Sequence, residues 1–203
     1  MAAAPLCALN LAVAACGDTL VFPLSPFFLK EKAAALSRYA RHRVSCLFHG
    51  HAEWESLLAE AGRRHGLPPG LLEAVVEVES HTRVHRISAA GAMGPAQLTA
   101  GTATFLGVAD PFDPASALDG AARYLASHLQ RFGTIPLAAA AYNAGPGAVR
   151  GQVPRNGETE YYVQKVLEEY SRRKAAPVPA ARSPSRMAEP SRLPLPSPTP
   201  ATR

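Results

Sequence analysis

Cysteine is scarce in this sequence, and the few cysteines are not spaced as metal ligands. Cys7, Cys16 and Cys46 form no C-x-x-C pair among the 203 residues, which argues against a structural zinc site. A single disulfide such as Cys16–Cys46 is compatible with an oxidising compartment, but the sequence does not require it. Although His81 and His85 are four residues apart, no Glu or third His stands in register with them. We therefore expect neither a metal site nor a cofactor.

Long hydrophobic runs are also lacking, so a transmembrane helix is not expected beyond the first 16 residues. Residues 1–16 are apolar but short, as in a signal peptide, and the small residues before Cys16 are similar to a lipoprotein processing box. Against this, no Lys or Arg precedes the apolar run, and Pro5 and Asn10 interrupt it. An export signal and a poorly ordered leader both stay open. Contact with a membrane is expected only if Cys16 carries a lipid.

Charged residues are few, at 18%, and their balance is basic, with a net charge of +5 and an isoelectric point near 9.4. Together with 47% hydrophobic residues, this composition fits a soluble globular protein with an anionic partner. The basic residues are scattered along the chain and are not concentrated with aromatic residues on one element. We therefore expect no nucleic-acid binding.

Composition divides the chain into three parts. Residues 1–50 form a leader and a poorly defined segment with one short helix near 27–39. Residues 51–172 carry the hydrophobic pattern of one helical domain with few strands. Residues 173–203 are rich in Pro, Ala, Ser and Arg and cannot bury enough apolar surface to offset their ordering entropy, so we predict a disordered basic tail. Within the domain, helices are expected at about 54–65, 69–80, 98–106, 115–131, 136–143 and 158–170.

One glutamate of the segment LLEAVVEVES stands on the apolar side of its helix. At about 100° per residue, Leu72, Val75 and Val76 fall within about 60° of Glu79. A carboxyl group held in an apolar environment has a raised pKa and can donate a proton near neutral pH. Glu79 is therefore a candidate general acid. A structural role stays open, because a side chain at a helix end can also reach water.

Four sequence blocks stand in a fixed order around this glutamate. Glu79-Ser80 is followed by GAMGPAQL at 91–98, by AYNAG at 141–145, and by Glu158-Thr159 with Tyr162-Val163. This arrangement resembles the soluble lytic transglycosylase domain, a bacterial relative of goose-type lysozyme. The resemblance implies an all-α, lysozyme-like fold with a glycan-binding cleft, flanked here by disordered tails.

The resemblance also implies roles for individual residues. Glu79 matches the catalytic acid/base. The substrate-binding set that it implies consists of polar side chains around the cleft: Ser80, Gln97, Tyr142, Asn143, Glu158 and Tyr162. Other roles stay open for some of these, since Gln97 can cap a turn, Tyr142 can belong to the core, and Asn143 can cap a helix. The chain departs from the family pattern at Thr82-Arg83-Val84 and at Ala96, which affects the expected substrate preference more than the mechanism.

The sequence offers no obvious second carboxylate for a hydrolytic mechanism. Asp110 and Asp113 lie in a Pro-flanked turn, and Asp119 lies on a surface-patterned helix. The resemblance implies that a single glutamate cleaves the bond between N-acetylmuramic acid and N-acetylglucosamine of peptidoglycan and leaves a 1,6-anhydro end. A hydrolytic muramidase and a non-catalytic peptidoglycan-binding module are the alternatives. We expect a monomer located in the periplasm or cell envelope. Service to a trans-envelope secretion, pilus or conjugation apparatus is compatible with these features but is not required by them.

Overall fold

The computed structural model describes residues 3–17, 19–45 and 54–175, and it confirms the expected all-α fold. Between the helices of these ranges, the only strand-type pairs are isolated bridges of Met93 with Ile87 and with Leu98. The predicted disorder of the tail lies outside the described residues from position 176 onward, as does Cys46. The described ranges contain eight helices: α1 Ala3–Gly17, α2 Leu29–Ser45, α3 Trp54–Arg64, α4 Leu71–Ser80, α5 Ala100–Phe105, α6 Pro114–Phe132, α7 Ile135–Ala144 and α8 Glu158–Ala175.

The main core forms where α6 packs against α3 and α7, while α8 packs against α4 and α7. Four consecutive alanines of α7, Ala138 to Ala141, are fully buried. Their small side chains let the helices on both sides of α7 approach closely, which is favoured when a helix is enclosed all round. This packing brings α4, α7 and α8, the helices that carry the predicted site residues, to one place in the fold.

The end of α4 is sharply defined. His81, which follows Ser80, has a φ of 52°, and its backbone N–H donates to the carbonyl oxygen of Glu77. Thr82 also has a positive φ, of 60°. Left-handed backbone is uncommon for residues other than glycine, and it stops a helix when it occurs at the C-cap. The chain therefore turns away directly after Glu79 and Ser80, which leaves Glu79 in the last turn of its helix.

The N-terminal segment is better defined than the sequence suggests. Where the sequence predicts one short helix near 27–39, residues 3–17 and 29–45 form α1 and α2, which pack against each other. Val13 of α1 and Ala35 of α2 are fully buried together with Ile87, Met93 and Phe112 of the following domain. The prediction for this segment differs because hydrophobic contacts distant in sequence, absent from any local pattern, stabilise it.

A buried polar cluster joins α1 to α2. The Lys32 ammonium donates to Oδ1 of Asn10 over 2.7 Å, and both side chains are at most 1% exposed. The Asn10 amide donates in turn to the carbonyl oxygens of Pro23 and Ser25. Asn10 thus provides hydrogen-bond partners for the Lys32 ammonium and for two carbonyl groups of the connecting loop. It therefore stabilises the hairpin formed by α1 and α2, although in the sequence it only interrupts an apolar run.

The hairpin of α1 and α2 meets the domain along a seam of glycines. A Cβ on Gly17 would lie 2.5 Å from the carbonyl oxygen of Ile87, and a Cβ on Gly91 would lie 2.6 Å from the carbonyl carbon of Glu31. A side chain fits at neither point without a backbone shift. Next to the seam, His42 of α2 forms a 2.7 Å contact with Asp110.

At the other end of the fold, α8 continues to Ala175, three residues into the predicted tail. Arg172, Arg173 and Lys174 lie in its last turn, where cations interact favourably with the helix dipole. None of the helices in the described ranges combines the length and apolar character that a bilayer crossing requires.

Candidate active site

Glu79 and Tyr162 form the centre of the candidate site. The Tyr162 hydroxyl donates a hydrogen bond to Oε1 of Glu79 over 2.7 Å. Tyr162 is buried on the inner side of α8, whereas its neighbour Tyr161 is 62% exposed. Glu79 is partly exposed, and its carboxyl group is surrounded by protein. The arrangement agrees with the helical periodicity, which predicts that Glu79 points to the apolar side of α4.

Burial raises the pKa of Glu79 from its usual 4.5 to about 7. The Tyr162 hydrogen bond and the positive charge of Arg86 act in the opposite direction, because both stabilise the ionised carboxylate. Desolvation is the larger effect, so a large fraction of Glu79 is protonated at neutral pH. A carboxyl group with this pKa can donate a proton and later take one back without a large energetic penalty.

Tyr142 lies beside this carboxyl group and connects it to the block around Gln97. Its hydroxyl donates over 2.9 Å to the carbonyl oxygen of Ala96, the residue before Gln97. Burial raises the pKa of Tyr142 well above 10, and the negative charge of Glu79 raises it further. Tyr142 therefore stays neutral and holds the loop with Gln97 against the end of α7. This geometry combines the two roles left open for it, a core position and proximity to Glu79.

Gln97 is held tightly by its own loop. Its side-chain amide donates to the carbonyl oxygens of Gly94, over 2.8 Å, and Arg86, over 3.2 Å. Its backbone φ of 48° is unusual for a residue other than glycine, and strained residues of this kind are often found at functional sites. With the nitrogen engaged, the Oε1 atom is the part of the side chain suited to accept a hydrogen bond from a sugar.

Asn143 forms part of a polar cluster at the start of α8. Its Oδ1 accepts a hydrogen bond from the Thr159 hydroxyl over 3.0 Å. Asn156 caps the helix by accepting from the backbone N–H of Thr159, and its amide donates to the Thr159 hydroxyl. Thr159 is part of the last sequence block but is assigned no role there, although the Asn three residues before it is a helix-start signal. Glu158, which the resemblance places in the binding set, is exposed at the start of α8.

Ser80 lies below the site and not on an open surface. The side chain is fully buried, and its hydroxyl donates to the carbonyl oxygen of Val76 over 3.3 Å. The structure thus gives the hydroxyl a helix-internal partner, in contrast to the lining position that the resemblance implies. Its backbone oxygen accepts from Arg83, which helps to fix the turn after α4.

A groove of about 520 Å³ lies between α5 and α6 and is lined by Tyr124, whose ring contacts that of Tyr142. The Tyr124 ring centroid lies 5.6 Å from that of Tyr142 and 4.0 Å from that of His128. Phe105, 80% exposed, lies on the α5 side. Aromatic side chains beside polar groups are suited to bind sugar rings, which have both apolar faces and hydroxyl edges. The sequence reasoning did not assign these side chains to the site, since they are distant in sequence from the four blocks.

The nearby aspartates are engaged elsewhere. Asp110 contacts His42, Asp113 caps α6 by accepting from Ser116, and Asp119 accepts from Arg64. Burial opposes ionisation of Asp119, but hydrogen bonds from His65 and Arg64 outweigh it and lower its pKa. Within the described ranges, no group of three or more His, Cys, Asp or Glu side chains is placed to hold a metal ion.

Comparisons with known proteins identify the family that this chain resembles. The sequence model of the Transglycosylase SLT domain matches residues 56–165, more than half of the 203-residue chain. The protein named Transglycosylase from Enterobacteria phage PRD1 is 33% identical over 119 residues, covering 59% of this chain and 43% of the phage protein. The Membrane-bound lytic murein transglycosylase F 2 of Alkalilimnicola ehrlichii is 41% identical over 125 residues, covering 58% of this chain and 24% of the relative. The chain thus spans less than half the length of these two relatives.

A solved structure supports the fold. An inactive mutant of the lytic transglycosylase Slt from Pseudomonas aeruginosa matches with a TM-score of 0.52 at 24% identity, covering 75% of this chain and 32% of that chain. This likeness shows the same helical, lysozyme-like architecture. The family-model match, which contains α4, α7 and the first part of α8, shows the relationship at the level of sequence. This chain belongs to the Transglycosylase SLT domain family.

Proposed function

We propose that the chain is a peptidoglycan lytic transglycosylase that cleaves the β-1,4 bond between N-acetylmuramic acid and N-acetylglucosamine, with Glu79 as its single acid/base. The observation that carries the proposal is the Glu79 carboxyl group, with a pKa of about 7, held by Tyr162. Family membership and the names of the relatives, which include lytic murein transglycosylases, support the substrate class.

In the first step, protonated Glu79 donates its proton to the glycosidic oxygen, and the bond between this oxygen and C1 of the muramyl residue breaks. N-acetylglucosamine then leaves with a free 4-hydroxyl group. In the second step, the muramyl 6-hydroxyl attacks C1, and its proton returns to Glu79. The enzyme is regenerated, and the product has a 1,6-anhydro end. Because the nucleophile belongs to the same sugar, proximity accelerates the attack and no water is consumed.

The surrounding residues have positioning and binding roles in this proposal. Tyr162 orients the Glu79 carboxyl group, and Tyr142 holds the Ala96 carbonyl and the loop with Gln97. Gln97 and Asn143 provide polar contacts to the sugar. The groove along Tyr124 and Phe105 binds the flanking part of the glycan strand, which extends beyond the two sugars of the scissile bond. The support for substrate contact is weaker for Ser80, which is buried, and for Glu158, which is exposed at the start of α8.

We further propose that residues 51–172 form the catalytic domain, working as a monomer on glycan strands in the periplasm or cell envelope. The family match inside this range and the relatives named as membrane-bound support that location. Service to a trans-envelope secretion, pilus or conjugation apparatus stays a prediction. It is compatible with the single small domain and with the occurrence of a relative named Transglycosylase in Enterobacteria phage PRD1.

The alternative enzyme is a hydrolytic muramidase, which needs a second carboxylate to activate water or attack the sugar. The engagement of Asp110, Asp113 and Asp119 with other groups favours the anhydro-forming reaction. The alternative without catalysis is a peptidoglycan-binding module. The raised pKa of Glu79 favours catalysis, because a binding surface gains nothing from a buried carboxyl group.

The test is digestion of purified sacculi followed by mass spectrometry of the released muropeptides. We expect 1,6-anhydro ends from the wild type, and a loss of at least about 100-fold in their rate of release from Glu79→Gln. Glu73→Gln, on the solvent side of the same helix, is the matched control and keeps the wild-type rate. Reducing ends as the main product would support the muramidase, and absence of any cleavage by the folded wild type would support the binding module.

A further inference from the structure

The connection between α1 and α2 exposes an unusual number of large apolar side chains. Leu20 is 100% exposed, Phe22 72% and Phe27 67%. We call this set the apolar loop: Leu20, Phe22, Leu24, Phe27, Phe28 and Leu29. Outside it, the described residues with strongly exposed large apolar side chains are Leu11 on the adjoining α1, Phe105 on α5 and Tyr161 on α8. Contiguous exposed apolar side chains mark interaction surfaces, whereas scattered ones need no explanation.

The apolar loop is held in place and is not a loose connection. The Asn10 amide donates to the carbonyl oxygens of Pro23 and Ser25, and the backbone N–H of Ser25 donates to the carbonyl oxygen of Phe22. Phe28 has a φ of 58°, which a bulky residue rarely adopts. Polar bonds therefore anchor the backbone on its inner side, while the rings and aliphatic side chains point outward.

The helix that follows the apolar loop carries a net positive charge on its described exposed side chains. Lys30 comes directly after the loop, next to Glu31, the one acidic side chain among the described residues from 19 to 45. Arg38 and Arg41 lie about 14 and 18 Å further along α2. A cluster of Phe and Leu followed by a basic helix is typical of a segment that inserts at the lipid–water interface, where the apolar part enters the acyl boundary and the cations attract anionic headgroups over a short distance.

We propose that the apolar loop docks on the surface of an anionic lipid bilayer. The exposed side chains lie within ten consecutive residues, and a fluid layer can enclose all of them, whereas a folded protein partner would need a matching cavity for each. The contact needs neither a transmembrane helix nor a lipid on Cys16, whose side chain packs partly buried against the cluster of Val13 and Ile87. This surface is separate from Glu79 and its groove, so docking places the enzyme at a membrane without using the glycan site.

The experiment is co-sedimentation of the full chain with vesicles of phosphatidylglycerol and, in parallel, phosphatidylcholine. We expect the wild type to bind the phosphatidylglycerol vesicles and to be released by high salt. Phe22→Ser/Phe27→Ser should bind about 10-fold or more weakly, since burying each ring contributes strongly to partitioning. Tyr161→Ser, at an exposed aromatic on α8, is the control and binds as the wild type does. All three proteins retain residues 176–203, so binding through those residues would not produce the difference.

Circular dichroism melting and release of muropeptides from sacculi verify that the loop variants are folded and that Glu79 is unaffected. Failure of the wild type to bind phosphatidylglycerol vesicles would overturn the proposal, and so would equal binding by the double variant. Light scattering adds a further arm. A wild-type dimer that becomes monomeric in Phe22→Ser/Phe27→Ser, without any vesicle binding, would show that a second copy covers the loop and would also overturn it. These outcomes are independent of whether glycan cleavage occurs.

Discussion

Tyr162 and Glu79 are 83 residues apart in sequence, yet the tyrosine hydroxyl lies 2.7 Å from the carboxylate oxygen that it contacts. The contact opposes the effect of burial on the same group, since the hydrogen bond lowers the Glu79 pKa while desolvation raises it. The value of about 7 is the result of both effects. Tyr162 thus adjusts the acidity of Glu79 as well as its position.

We predict that glycan cleavage depends on pH through Glu79 and that Tyr162→Phe moves this dependence. The first step needs the protonated carboxyl group, so the rate should fall as pH rises through about 7. Without the tyrosine hydrogen bond the Glu79 pKa rises, and the falling limb should move to higher pH. The measurement is the pH profile of muropeptide release by the two proteins. A role of Tyr162 in packing alone would lower the rate and leave the position of the limb unchanged.

We predict that Glu79→Gln alters the pH dependence of stability. The folded-state pKa of about 7 lies above the usual 4.5, so the native protein holds a proton that the unfolded chain has lost between these values. This contribution to stability is fully present below pH 4.5 and is lost as pH rises through 7. Relative to the variant, the wild type should lose at most about 3 kcal/mol of unfolding free energy over that interval. Urea unfolding at several pH values measures the difference, and a constant difference would contradict the assignment.

His128 should make the unfolding free energy depend on pH in the opposite direction to Glu79. Burial, together with the positive charge of Arg131, lowers its pKa from 6.5 to about 4, and the side chain is 3% exposed. The unfolded chain therefore binds a proton between pH 6.5 and 4 that the native protein excludes, and stability is lost as pH falls through this range. His128→Phe removes this loss, so its stability relative to the wild type should increase on acidification by up to about 3 kcal/mol. Urea unfolding at pH 7 and at pH 5 tests this, and an equal difference at both would refute it.

Asn10→Ala should destabilise the protein by about 2–3 kcal/mol, because it leaves the buried Lys32 ammonium without its acceptor. Burial already lowers the pKa of Lys32, so the charged form is sensitive to loss of a partner. In the double variant Asn10→Ala/Lys32→Met the charge is absent, and the total loss should be smaller than the sum of the single losses. Urea unfolding of the three variants gives the coupling energy. Additive losses would show that the two side chains do not interact in solution.

Gly94→Ala should impair both stability and cleavage. A Cβ at this position would lie 1.8 Å from the carbonyl oxygen of Pro111, and the backbone has a φ of +73°. The loop would have to move, and it contains the Gly94 carbonyl that holds the Gln97 amide. We expect a loss of at least about 2 kcal/mol in unfolding free energy together with slower muropeptide release. Gly147→Ala, where nothing lies within 4 Å and φ is ordinary, is the matched control and should change neither quantity.

Local patterns were sufficient to predict the helical fold and the orientation of Glu79. The 3.6-residue period of α4 depends only on residues within two turns, so it can be read directly from Leu72, Val75 and Val76. The two interactions that lower the Glu79 pKa against the effect of burial could not be predicted in the same way. The pairing with Tyr162 and the charge of Arg86 arise from packing between distant segments, and no spacing rule relates them.

The N-terminal hairpin illustrates the same limit. The sequence pattern treats Asn10 as an interruption of an apolar run, and nothing in it pairs Asn10 with Lys32. Their mutual hydrogen bond makes both compatible with burial, but only after α1 and α2 have come together. The sequence does not reveal this pairing, because each helix is judged there without its partner. Ser80 shows the opposite case. It directly follows the predicted acid in the sequence, yet its buried hydroxyl donates to a carbonyl oxygen of its own helix.

The two glycines of the seam, Gly17 and Gly91, restrict how this protein can change over generations. Each allows main chain to touch main chain across the boundary between the hairpin and the domain. A substitution on either side would separate the two surfaces, and no adjustment of nearby side chains could close the gap, because the obstructing atoms are largely backbone. The hairpin and the loop that holds Gln97 are therefore expected to be inherited together, so that descendants keep both glycines or lose the attachment altogether.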